Sequence, residues 1–165
     1  MAHGGAAGLP VIHAGEGRRP DVADLPAGKR RRGCGATTIG DGGPIGRILV
    51  RGEPGHDVIP ELYHLLGEPV IDKSGKGAFF ATDLAAILAH RGIRQLVVAR
   101  VTTEICVHTT MREANDRGFD SLVLADCCAS YFLEFQASGL AMIAVQGVIL
   151  GRVGTSSAVL AAPAS

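Results

Sequence analysis

The residues with the clearest chemical potential lie together in VTTEICVHTTMREANDRG at 101–118, where Cys106 stands between a strand and a helix. IRQLVVA at 93–99 is apolar and β-branched and reads as a buried strand. Beyond Cys106, the positions Val107, Thr110, Met111 and Ala114 recur at helical spacing, and Gly118 supplies a stop. A cysteine at such a junction meets unpaired N–H groups and the positive end of the helix dipole, and both favour the nucleophilic thiolate. The same N–H groups suit the oxyanion that develops when a carbonyl is attacked. Taken alone, the pattern also fits a cysteine that serves as a small buried hydrophobe.

The elements that must position this cysteine alternate along the chain. Strands are expected at LPVIHA 9–14, EPVIDK 68–73, 93–99, FDSLVLA 119–125 and VILGRV 148–153. Helices are expected at IPELYHLL 59–66, at 82–92 with Thr82 as its cap, at 104–117, near 134–146 and near 155–162. This alternation predicts an α/β, doubly wound (Rossmann-like) parallel sheet with helices on both faces. By length, 1–165 is a single domain. Ligands bind beyond the carboxyl ends of such strands, which is where His13, Lys73, Thr102 and Asp126 are expected. Residues 15–47 form a long Gly/Pro/Arg-rich connection with little periodicity, of a kind that is often functional. It is expected to cover a pocket mouth or to make a subunit contact.

Sixteen acidic residues balance sixteen basic ones, so charge calls for neither nucleic acid nor an acidic partner. The KRRR run at 29–32 is flanked by Asp21, Asp24 and Asp41 and lacks stacking aromatics, so it reads as a solvated loop with no nucleic-acid role. The four cysteines (Cys34, Cys106, Cys127, Cys128) have no CxxC spacing. With no signal-like segment, they predict free thiols in a reducing, cytoplasmic setting. No apolar run is long enough to cross a bilayer. His13, His56 and His108 share no ligand spacing, and no metal is expected.

The turn V-T-T-E-I-C-V-H-T-T-x-x-E-A-N-D-R-G resembles the nucleophile turn of the isochorismatase-like cysteine hydrolases. VIDKSGKGAFFATDL at 70–84 is similar to the lysine segment of that family. GRILVRGEPGHDVIPEL at 46–62, with VIH at 11–13 and RPDVADLPAGKRRRG at 19–33, looks most like its biuret amidohydrolase branch. The resemblance runs from about Ala6 to the C-terminus. It implies a cofactor-free hydrolase that cleaves a C–N bond of a small ureido or amide compound through a thioester, in a dimer or tetramer. Cys106 would be the nucleophile and Lys73 the catalytic lysine, with Lys76 its neighbour and competitor. The main-chain N–H groups of Thr102 and Cys106 would hold the oxyanion, with a cis bond at Val101–Thr102. Gln146, in MIAVQG, resembles the glutamine that pairs with a planar amide, and reads equally as a surface residue.

Some family features have no counterpart. The triad aspartate follows an N-terminal strand as something like D-M-Q-x-D-F, and nothing of that kind occurs here. The chain therefore reads as an N-terminally truncated member lacking the first central strand, with a gap in its sheet and little or no activity. Its exposed edges would favour self-association. Glu16 and Asp126 are the carboxylates left to act as base. Arg100 replaces the usual Gly before V-T-T, Q-G-V-I-L-G-R-V stands for Q-G-G-x-F-G-x-V, and Gly15 and Arg18 replace Arg and His. Three classes of function remain open: a cysteine-dependent amidohydrolase, a catalytically impaired relative with a ligand-binding or assembly role, and a thiol-redox protein using Cys127–Cys128.

Overall fold

The computed structural model describes residues 8–30 and 37–162. Cys34 and the last two arginines of the KRRR run fall outside the described residues. The chain divides into two compact units, Met1–Gly75 with Phe80–Thr82 and Lys76–Phe79 with Asp83–Ser165.

In the first unit, strand β1 (His13–Glu16) runs parallel to strand β4 (Val70–Lys73), with Glu16 directly opposite Lys73. The first strand thus starts later than the expected 9–14, and His13 opens it instead of lying past its end. Pro10 and Pro69 have no N–H to give a ladder. Pairing begins only where the His13 N–H reaches the Pro69 carbonyl, at 2.9 Å. The connection at 15–47 is more ordered than its composition indicates. It holds a short helix α1 (Ala27–Arg30) and a minimal antiparallel hairpin of β2 (Gly42–Gly43) and β3 (Gly46–Arg47). The helix expected at 59–66 reduces to one 3-10 turn, Pro60–Leu62. Ile59, Tyr63, Leu65 and Leu66 are all exposed, so no apolar face is buried to offset the cost of helix nucleation.

In the second unit, three parallel strands lie in the order β5 (Gln95–Val98), β6 (Asp120–Leu124), β7 (Arg152–Gly154). Helices α2 (Leu84–His90), α3 (His108–Asp116), α4 (Leu133–Val148) and α5 (Ser156–Ala161) complete it. The N-cap position of α2 is Asp83, one residue past the expected Thr82, and the Asp83 side chain makes no cap bond. Helix α3 buries Thr110, Met111 and Ala114, and Gly118 ends it at φ +80°. Val107, Met111, Val123, Cys128 and Ile143 form the core, with Val98, Leu140 and Val153 packed against it. Strand β5 is less buried than its apolar run predicts, because it lies at the edge of its set with Gln95 and Val97 exposed.

This is an α/β fold with parallel strands, as the alternation predicts. The parallel strands form two hydrogen-bonded sets, β1–β4 in the first unit and β5–β6–β7 in the second.

Two positions make the second unit's packing testable. Gly151 enters β7 at φ +151°, and a Cβ there would stand 2.8 Å from the Ser121 carbonyl oxygen. Gly151→Ala should lower stability by about 2–4 kcal/mol, from backbone strain and overpacking, and an unchanged urea midpoint would contradict this packing. Asp126 accepts the Ser156 N–H at 2.9 Å and its hydroxyl at 2.5 Å, and these bonds hold its carboxyl below the usual aspartate range. A carboxylate with a depressed folded-state pKa stabilises above its unfolded pKa and loses that contribution as pH falls through the folded one. The Tm difference between the protein and Asp126→Asn should therefore be present at neutral pH and close in acid. A gap that persists below the aspartate range would refute the assignment.

Candidate active site

The chain leaves β5 through a cis Val101–Thr102 bond, at the position implied by the resemblance, and winds into a wide π-type turn, Thr103–Val107. Three N–H groups converge on the Thr102 carbonyl: Cys106 at 3.0 Å, Val107 at 3.1 Å and Ile105 at 3.4 Å. Cys106 is buried, at 7% exposure, and its own carbonyl accepts the Thr110 hydroxyl at 2.8 Å. The Thr110 oxygen in turn accepts the Ala78 N–H at 3.1 Å. Of the two N–H groups expected to face an oxyanion, that of Thr102 has no hydrogen-bond acceptor among the described residues. The other, on Cys106, is already donated to Thr102. The Thr102 and Thr103 side chains do not cap this turn.

A clamp from the segment after β6 holds the turn. The Thr103 N–H donates to the Ala129 carbonyl at 3.0 Å, and its hydroxyl lies against that carbonyl and Gln136 Oε1. Gln136 Nε2 donates to the Cys128 carbonyl at 3.0 Å, so one amide ties the turn to the chain beneath it. The His108 ring nitrogen Nε2 meets the Gly139 carbonyl at 2.7 Å. A Cβ on Gly139 would stand 3.2 Å from Thr103 Cγ2, so helix and turn approach closely there. Gln136 was not singled out in the sequence, and no local signal marks it. Gln146, which was, is exposed at φ +53° in a break of α4 at Val145–Gly147, and it forms no hydrogen bond among the described residues.

In the first unit, Lys73 ends β4 with no exposed surface. Its Nζ donates to the Gly75 carbonyl at 2.6 Å and to Glu16 Oε2 at 3.3 Å. Lys76, the competitor in sequence, is exposed. A carboxylate therefore does accompany the buried lysine, and it is Glu16; Asp126 is engaged in capping α5. Cys127 is exposed and Cys128 buried, and burial pushes the Cys128 thiol up, away from the reactive form. That removes support for a vicinal redox pair. Among the described residues no group of three or more His, Cys, Asp or Glu side chains is arranged to hold a metal ion, and no helix is long and apolar enough to cross a membrane.

Comparison with known proteins agrees with this fold. Over 82 residues the chain is 34% identical to the ureidoacrylate amidohydrolase RutB of Serratia proteamaculans, a match that covers 50% of this chain and 33% of that protein. The chain thus spans about a third of that curated relative's length. An isochorismatase-like hydrolase from Alkaliphilus metalliredigens superposes with a TM-score of 0.73 at 28% identity, covering 92% of this chain and 72% of its own. An isochorismatase family protein from Desulfovibrio vulgaris shares the fold at a TM-score of 0.78 and 24% identity, with 98% and 80% covered. The isochorismatase domain model matches residues 5–154, nearly the whole chain, and the chain belongs to the isochorismatase family.

Proposed function

We propose that the chain is a cysteine-dependent amidohydrolase acting on a small ureido or amide compound, biuret-like in its planar amide groups. The observation that carries this reading is Cys106, buried in the turn after β5 with the acceptor-less Thr102 N–H four residues before it. The Cys106 thiolate adds to the substrate carbonyl, and the Thr102 N–H stabilises the oxyanion, with the Cys106 N–H joining it by sharing its bond to Thr102. The C–N bond then breaks as the nitrogen takes a proton, and ammonia leaves; Lys73 is the residue to which the resemblance assigns the catalytic lysine of this reaction. Water adds to the carbonyl of the resulting thioester, giving the acid and restoring the thiol. Gln146 is the amide partner in this reading, with its donor and acceptor matched to a urea-like group. The identity to a ureidoacrylate amidohydrolase supports the C–N substrate class. No cofactor takes part, and the free thiols fit a cytoplasmic setting.

A second reading, a catalytically impaired relative with an assembly role, has its own support. The Cys106 N–H is turned to Thr102, and apolar side chains stand open on the start of α4 and the segment before it, among them Tyr131, Phe132, Leu133 and Phe135.

Two experiments bear on these readings. Cys106 should react with iodoacetamide faster than Cys127 although it is the more buried thiol, and Cys106→Ser should lower ammonia release from a panel of small amides by roughly 10³-fold or more. Fastest labelling at Cys127, together with unchanged turnover in Cys106→Ser, would remove the nucleophile. Light scattering at micromolar concentration should report a dimer or larger species through the open apolar surface, and a clean monomer would count against assembly.

A further inference from the structure

The buried lysine has a partner that its proposed role requires. Lys73 is fully buried and Glu16 is 11% exposed, with 3.3 Å between Nζ and Oε2. Removing either charge from water is costly unless the pair is closely matched and hydrogen-bonded. Here the match is built into the backbone. Glu16 and Lys73 are register partners in the parallel ladder, so their side chains share one face. The next N–H along, that of Gly17, donates to the Lys73 carbonyl at 3.0 Å and closes the ladder just past the pair. A second acceptor, the Gly75 carbonyl, lies 2.6 Å from Nζ. It is held in a tight bend, where a Cβ on Gly75 would stand 2.8 Å from Phe80 Cδ1. One ionised and one neutral acceptor around the same nitrogen favour the protonated amine over the neutral one.

We infer that Glu16 is a positioning residue: its carboxylate fixes Lys73 as an ammonium at one place, ready to act as cation and proton donor in the proposed reaction. This rests on the role given to Lys73 above, but its electrostatic half is measurable without any substrate.

The chain has three lysines, Lys29, Lys73 and Lys76, which makes the ammonium directly observable. A lysine side-chain ¹H–¹⁵N correlation spectrum of the full chain should contain one ammonium signal protected from solvent exchange, absent in Lys73→Met and lost in Glu16→Gln. Glu16→Gln removes the carboxylate 3.3 Å from a buried charge and should lower Tm by about 5–12 °C. Adding Lys73→Met, which removes that charge, should recover most of the loss. If Glu16→Gln does not fold, recovery of the double variant as folded protein gives the same result. On the amide turned over fastest, Glu16→Gln should reduce kcat by about 10²-fold with little change in KM, and should add nothing to Lys73→Met. Additive Tm changes, a protected ammonium that survives in Glu16→Gln, or an unchanged kcat in Glu16→Gln would each overturn the inference. An unchanged kcat in Lys73→Met would instead overturn the catalytic role of Lys73, and this inference's catalytic half with it, while leaving the coupled Tm intact.

Discussion

A chain that passes from a strand into a helix leaves several N–H groups without partners, and the way this protein satisfies them governs the candidate site. The Thr102 carbonyl, just past the cis bond, gathers the N–H groups of Ile105, Cys106 and Val107. That convergence makes the turn wide, seats Cys106 under it and leaves the Thr102 N–H open. Everything else near the thiol supports this arrangement. Gln136 and the Ala129 carbonyl grip Thr103, the Gly139 carbonyl receives the His108 ring, and the Val107–Met111–Val123 core fixes the start of α3 from below. A nucleophile needs fixed geometry more than exposure, because a misplacement of about 1 Å costs on the order of 10²-fold in rate.

The second requirement is a charge that burial would ordinarily forbid. Lys73 is tolerated in the interior because the β1–β4 register sets a carboxylate against it and the Gly75 bend adds a carbonyl. The two features belong to different parts of the chain and obey different physics. One is backbone hydrogen bonding at a helix start. The other is an ion pair held by strand register.

The sequence disclosed the first feature well and the second only in outline. The turn that carries Cys106 is local: Val107, Thr110, Met111 and Ala114 share a helical face whatever the rest of the chain does, and all are buried. Glu16 could be named only as one of two carboxylates, since its pairing depends on a strand register that no local pattern encodes. The register was obscured further because Pro10 and Pro69 delay the start of β1. Gln136 was invisible for a related reason, as its partners lie in a segment brought to it only by folding. The helix expected at 59–66 failed because amphipathic spacing without a surface to bury against does not sustain a helix. Strand β5 was taken as buried from its composition, whereas burial depends on having neighbours on both sides.

The central claim is that Cys106 becomes covalently attached to the substrate acyl group. Acid quenching during turnover of a small amide, followed by peptide mass mapping, tests it directly. The account predicts that the peptide carrying Cys106 gains the mass of the substrate less ammonia, and that hydroxylamine removes this adduct as expected for a thioester. Ammonia release with no adduct on Cys106, or with an adduct on Cys127 or Cys128 instead, would contradict it.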